Sequence, residues 1–372
     1  MKQIRVLHIA GDMNRGGVET FTMNVLRNIN RQKFKFIYLC YSHAPFDYED
    51  EIISLGGKII RIPSIKEAGV FKHISDISRI IKNERIDIVH AHIYYNSIFS
   101  LIAAKKNNVK VRITHSHATR SEVNPSIVKR VYFFISKFII NTHSTSYAAC
   151  GIDAGNSLFY KKNKFNVIYN GIILKDFIYD TSTQNQFRIG LGIPTNATVI
   201  GHVGRIDTQK NQKFVVNTFN EYLKINPNSY LILVGDGMLR AEINNLVCNL
   251  GIQENVIFLG NRADVNALYN TMNIFLFPSL REGLPITLIE AQANGLICLI
   301  SNTIDKSVKL TDCINFYNLD NGAKLWARKI DELNLKRINT KETMENSPYN
   351  IAKSVKTVER LYEDSLDSRL QK

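Results

Sequence analysis

The sequence is poor in the residues that mark disulfide scaffolds and zinc sites. Its five cysteines (Cys40, Cys150, Cys248, Cys298, Cys313) are odd in number, scattered and without a Cys-x-x-Cys pair. That usage excludes a disulfide framework and gives no zinc spacing. It fits a reducing compartment, so a cytoplasmic location is expected. No apolar run is long enough to span a bilayer, and residues 1–12 read as a first strand, not a signal peptide. There is no Walker loop, no dinucleotide fingerprint, no repeat of solenoid period and no low-complexity tract. Acids are scarce in the first half. Residues 1–178 hold 26 Lys and Arg against 13 Asp and Glu, while residues 179–372 hold 21 against 20. Most of the formal net charge of +14 therefore lies in the first half. Such an excess suits nucleic acid, an anionic membrane face or a diphosphate-bearing lipid; a role in solubility is the bland alternative.

What is present is the composition of a soluble globular protein, 45% hydrophobic and 22% charged over 372 residues, enough for two cores. Short β-rich runs alternate with amphipathic stretches of helix length, twice over. The first series predicts strands near Ile4–Ala10, Phe36–Cys40, Lys58–Ile62, Ile86–Ala91, Val111–His115, Ser144–Ala148 and Asn166–Tyr169. The second predicts them near Thr198–Val203, Tyr230–Val234, Val256–Leu259, Ile274–Phe277 and Ile297–Ile300. Continuous apolar strands spaced by helices argue for parallel sheets covered on both faces, hence two doubly wound, Rossmann-like α/β domains. Turn and linker signals between Gly171 and Thr195 put the boundary after residue 178. The domains are then 1–178 and 179–349, with a helix in 350–372 packing back on the first.

The densest segment is Glu282-Gly283-Leu284-Pro285-Ile286-Thr287-Leu288-Ile289-Glu290. Glu282 falls in a loop at a strand end, and Glu290 about two turns into the helix that follows. One short element thereby aims two carboxylates at different hydroxyls of one ligand, while the helix start offers free amides to a phosphate. A ligand with sugars on either side of a diphosphate matches that layout.

Other segments sit at strand ends, where open α/β sheets bind ligands. Gly16 and Gly17 open a helix over Val18–Asn28; they allow close approach of a phosphate or simply make a tight turn. His115-Ser116-His117 ends a strand opposite that turn, and His90 and His92 bracket another strand end and read as structural. Gly201-His202-Val203-Gly204-Arg205 is followed by Lys210-Asn211. A planar fork and a point charge there can neutralise a diphosphate without a metal. Gly235-Asp236-Gly237 reads equally as a glycine turn. The loop Gly260-Asn261-Arg262 can press its backbone on a nucleobase edge. The stretch Ile127–Ile140, basic then aromatic, is either a membrane-interface helix or a buried core helix.

Taken together, GGVET (Gly16–Thr20), THSH (Thr114–His117), IYNGI (Ile168–Ile172), GHVGR with QKN (Gly201–Arg205, Gln209–Asn211), LILVGDG, the FLG loop and PSLREGLPITLIEAQANG (Pro278–Gly295) resemble the retaining glycosyltransferases of family four. GGVETFTMNVLRNI and WARKI (Trp326–Ile330) bring the likeness nearest to the bacterial capsular and exopolysaccharide branch. The resemblance implies the GT-B fold, with two domains facing each other across a cleft, and metal-independent transfer of a hexose from a UDP-sugar to a glycan carried on a lipid. It implies that Arg205 and Lys210 grip the donor diphosphate and Glu290 the ribose. Glu282 would contact the donor sugar with the amides of Gly283, Leu284 and Pro285, and Gly16 and Gly17 would approach the diphosphate. His117 would stand beside the reacting sugar, and Asn211 and Arg262 would complete the donor site. No cofactor, metal or nucleic acid is expected; peripheral contact with an anionic membrane, on the cytoplasmic side, is. A nucleotide-sugar 2-epimerase of similar fold and a non-enzymatic nucleic-acid binder are the alternatives.

Overall fold

A computed structural model describes residues 3–117 and 126–370, so Met1 and Lys2 of the opening segment lie outside it. The chain forms two compact units, Met1–Ile172 with Pro348–Lys372, and Ile173–Ser347.

The first unit is built on a seven-stranded parallel sheet. In chain order its strands are β1 (Ile4–Ile9), β2 (Phe34–Cys40), β3 (Lys58–Arg61), β4 (Ile88–Ala91), β5 (Val111–Ser116), β6 (Ser146–Ala149) and β7 (Asn166–Val167). Their spatial order is β3-β2-β1-β4-β5-β6-β7. Residues of one parity along β1 and β4, Leu7, Ile9, Val89 and Ala91, are buried in an aliphatic layer with Ile77, Ile80 and Ile81. The other parity carries His8 and His90, which face Phe36, Tyr38 and Tyr362. Burial on both faces explains why these strands are mostly apolar.

The second unit holds β8 (Thr198–Val203), β9 (Ser229–Val234), β10 (Val256–Gly260), β11 (Ile274–Phe277), β12 (Ile297–Ser301) and β13 (Ile314–Tyr317). The order is β10-β9-β8-β11-β12-β13, again parallel. The edge strand β13 is absent from the sequence expectation because its four residues are mostly half-buried and lack a continuous apolar run. Trp326, fully buried on the helix Gly322–Glu332, packs edge-on against Phe214 and Tyr317 and donates from Nε1 to Asn318 O at 2.9 Å.

In both units the order reverses beside the first strand, between β1 and β4 and between β8 and β11. The loops leaving β1 and β8 therefore open at a topological switch point, where ligands of doubly wound sheets bind. Gly16 and Gly17 follow β1 and start the helix Gly17–Asn28; Arg205 and Lys210 follow β8 and precede the helix Gln212–Leu223.

The division falls after Ile172, not after residue 178. Ile172 N–H donates to Tyr349 O at 2.8 Å, and Ile351 N–H donates to Ile172 O at 3.1 Å, tying this point to the terminal segment. Residues 174–177 instead form a 3₁₀ turn whose Phe177 and Asp176 carbonyls accept from Asn294 and Asn266 of the second unit. The terminal helix, Ile351–Leu370, buries Val355, Val358, Leu361 and Tyr362 within the first unit. Lys33 pairs with Glu363 at 2.6 Å, and Ser146 shares a hydrogen bond with Ser365 at 2.7 Å. The helix Ile127–His143 is not a buried core helix: Ile127, Val128 and Phe134 are 74–79% exposed.

Gly171 is the tightest point of this crossing, since a Cβ there would lie 2.7 Å from Ser354 Oγ and 2.8 Å from Ile351 Cα. Gly171→Ala should cost about 1–3 kcal/mol by overpacking and raise hydrogen exchange along residues 351–362. Unchanged protection there would contradict the account.

Candidate functional site

The loop leaving β8 is tied to its neighbours through its backbone. Gly204 N–H donates to Val234 O and Ile206 N–H to Asp236 O, both at 2.9 Å. The buried Gln212 clasps the loop from inside, donating to Arg205 O at 2.8 Å and accepting from Asp207 N–H at 3.2 Å. Gly235 has φ +122°, and a Cβ there would overlap the Gly204 carbonyl; a Cβ at Gly237 would overlap that of Ile206. The Gly235-Asp236-Gly237 segment is thus a close crossing of two loops, which favours its reading as a glycine turn.

Lys210 is held by this loop through its backbone N–H, which donates to Asp207 Oδ1 at 3.0 Å. Its Nζ lies 2.8 Å from Glu282 Oε1 and 4.8 Å from the centre of the Phe277 ring. Both side chains are largely shielded, at 17% and 8% exposure. Arg205 points outward, 75% exposed, with Nε on Asp207 Oδ2 at 2.7 Å. Arg262 makes a two-pronged pair with Asp264 at 2.8 and 2.6 Å. The expected clamp of bare cations is therefore a set of ion pairs, each cation already holding a carboxylate. Asn211, at φ +58°, spends its amide on Pro278 O at 3.1 Å, so it braces the end of β11.

Glu282, Gly283, Leu284 and Pro285 occupy the loop between β11 and the helix Ile286–Ala293. Pro285 stands at the helix cap and no side chain caps the first turn. The buried hydroxyls of Ser279 and Thr287 have no partner among the described residues. Each such orphan costs about 1–3 kcal/mol unless something arrives to bond it. Open space surrounds Gly283. Glu290 lies about one turn into the helix, not two, because the helix begins only after Pro285. Tyr269 donates from its hydroxyl to Glu290 Oε2 at 2.9 Å. Desolvation pushes the Glu290 carboxyl up to about 7, with that hydrogen bond opposing.

In the first unit, a Cβ on Gly16 would overlap the Glu19 carboxylate, whereas Gly17 has open space around it. His117 lies just past β5, half-buried, and is one of five histidines gathered from three strands. The parallel register sets His8 opposite His90, and His90 opposite Ile113, which brings His92 level with His115. His8 Nδ1 and His92 Nε2 share a hydrogen bond of 3.1 Å, and His92 Nδ1 and His117 Nε2 one of 2.9 Å. Burial drives His8 and His117 down to about 3 and His90, His92 and His115 well below the usual imidazole range. All five are neutral at physiological pH. His90 and His92 bracket a strand end as the sequence suggests, but their gathering with His8, His115 and His117 is visible only from the strand register.

The model of glycosyl transferases group 1 matches residues 183–362 and that of glycosyltransferase family 4 residues 15–176. The protein described as glycosyltransferase EpsF in Bacillus subtilis (strain 168) is 32% identical over 98% of both chains. The UDP-Gal:alpha-D-GlcNAc-diphosphoundecaprenol alpha-1,3-galactosyltransferase of Escherichia coli is 26% identical over 97% of both. Among solved structures, Anabaena Alr3699/HepE in complex with UDP and glucose superposes with a TM-score of 0.77 at 16% identity, over 98% of this chain and 100% of that one. At that identity the likeness speaks for the fold alone.

The raised Glu290 pKa has a sign. Between the ordinary carboxyl value near 4.5 and about 7, the folded state holds a proton that the unfolded chain has lost. Stability is therefore present below pH 4.5 and is lost as pH rises through 7. Glu290→Gln should remove this loss, giving a melting temperature above wild type at pH 8 and close to it at pH 5. Parallel melting curves at both pH values would contradict the burial argument.

Proposed function

The chain belongs to the glycosyltransferases of group 1 and family 4, and on that premise we propose that it moves a hexose from a UDP-sugar to a glycan acceptor carried on a lipid diphosphate, in cell-surface polysaccharide synthesis. The observation that carries the donor reading is the end of β11. There the shielded Lys210–Glu282 pair precedes the uncapped first turn of the helix Ile286–Ala293, beside two orphaned hydroxyls. A diphosphate satisfies all three demands: it takes the ammonium, the free amides and the hydroxyls.

Each residue then has a task. Lys210 and the exposed terminal nitrogens of Arg205 meet the charge that grows on the leaving diphosphate. That charge is stabilised without a metal, by groups already in place. As Lys210 turns to phosphate, Glu282 is released to accept from a sugar hydroxyl, aided by the amides of Gly283 and Leu284. Glu290, steadied by Tyr269, accepts from the ribose. Arg262 lies beyond β10, towards the base. In the first unit, Gly17 admits the diphosphate closely and Gly16 packs on Glu19. His117 stands by the reacting sugar as a neutral imidazole.

Retention follows from attack on the face that the leaving group vacates. The C1–O bond to the diphosphate breaks, the acceptor oxygen bonds to C1, and its proton passes to the departing phosphate. No carboxylate nucleophile is required, so Glu282 positions the sugar. A 2-epimerase would need acid and base groups on the sugar, and no relative named here is one. The nucleic-acid alternative has no recognised nucleic-acid-binding motif behind it.

The acceptor reading draws on the E. coli relative, whose name specifies a diphosphoundecaprenol-linked sugar, and on the helix Ile127–His143. Ile127, Val128, Val131, Phe134, Ile135 and Phe138 are exposed at helical spacing along one face, with Lys129 and Arg130 exposed at its start. The helix Ser97–Lys106, which packs against it, ends in exposed Lys105 and Lys106. An apolar stripe bordered by cations fits the cytoplasmic interface of an anionic bilayer.

Arg205→Ala should lower kcat by about 100-fold with an unchanged melting temperature, since the side chain is exposed; near-normal turnover of UDP-sugar would contradict the donor reading. Phe134→Glu with Phe138→Glu should abolish sedimentation with anionic vesicles while leaving transfer to a detergent-soluble acceptor intact. Binding should also fall with salt, as the attraction is screened over about 8 Å at physiological ionic strength. Equal binding of the double variant would dismiss the helix as the anchor.

A further inference from the structure

Histidine recurs as His-x-His at two neighbouring strand ends, and the transferase reading uses only His117. We propose that His92, His115 and His117 form a binding site for a borderline divalent transition-metal ion, with Zn²⁺ as the reference. Their ligand atoms all lie within 4.8 Å of one another, and two of them are already 2.9 Å apart. His115 is fully buried, and neither of its ring nitrogens has a partner among the described residues. A metal supplies the partner that this ring lacks. The donors are three imidazoles with no carboxylate among them, which suits Zn²⁺, Ni²⁺ or Co²⁺ and not Mg²⁺ or Ca²⁺.

Tetrahedral zinc–nitrogen bonds of about 2.0–2.1 Å set ligand nitrogens about 3.3 Å apart, so the His92–His117 pair opens slightly to admit the ion. Three histidines also leave a fourth position for water. A second triad, His8, His90 and His92, shares one member. All three of its rings are buried to 4% exposure or less, and His90 Nδ1 is engaged with the Tyr362 hydroxyl at 2.8 Å. His117 is half-buried, so the outer triad reaches the surface at one member, whereas every ring of the inner triad is buried. Occupation withdraws His117 from the sugar, which makes zinc an inhibitor of transfer. That consequence alone rests on the role proposed above for His117, and metal uptake read without donor or acceptor separates the two failures.

Untagged full-length protein, stripped of metal and titrated with ZnCl₂, should take up one ion per chain by calorimetry and elemental analysis. His115→Gln should weaken uptake at least tenfold, and His8→Gln should leave it within threefold. Failure of the wild type to bind, or binding that survives His115→Gln, overturns the proposal, as does loss on His8→Gln alone. Should His115→Gln not fold, cobalt in the wild-type chain still decides. Intense visible absorption of a four-coordinate ion supports the site, and the weak spectrum of a six-coordinate ion rejects it.

Discussion

An ammonium and a carboxylate that are both shielded from water each depend on the other for the field that solvent would otherwise supply. Lys210 and Glu282 are in that position, 2.8 Å apart at the end of β11. Much of the second unit can be read as the means of keeping them there. Gln212 clasps the loop that carries Lys210, Asn211 braces Pro278, and the crossing at Gly204 and Gly235 leaves the loop no slack. The pair is also a loaded state. A phosphate that takes the lysine must leave the glutamate with a new donor, and a sugar hydroxyl offers one. Under the proposed donor reading, binding of one part of the donor would prepare the place for the other.

The same economy appears at Glu290. Its carboxyl is desolvated and pushed up to about 7, and Tyr269 donates to it from its hydroxyl. A group in that condition gains more from two ribose hydroxyls than an exposed carboxylate would, because it has less water to give up.

How much of this was legible depended on the reach of each interaction. The strands of both sheets were plain because burial on two faces writes a continuous apolar run, as in Phe36–Cys40 or Ile274–Phe277. The edge strand Ile314–Tyr317 was not, since one flank of it is free of that demand. The acids of the Glu282–Glu290 segment were visible from local spacing, but their start relative to the helix was not, because Pro285 delays the first turn. Pairing of Lys210 with Glu282 joins distant residues through adjacent parallel strands, and no local pattern encodes it. The histidine row is the same case. His8, His90 and His115 become neighbours only once β1, β4 and β5 are in register.

The closing helix belongs to the unit that the chain began, fastened at Ile172 and Gly171 by residues 349–354. On a ribosome, where synthesis runs from one end, the founding sheet therefore waits for its last cover until the entire intervening unit has emerged. Tyr362 completes the packing over His90 only after the whole intervening unit has been made.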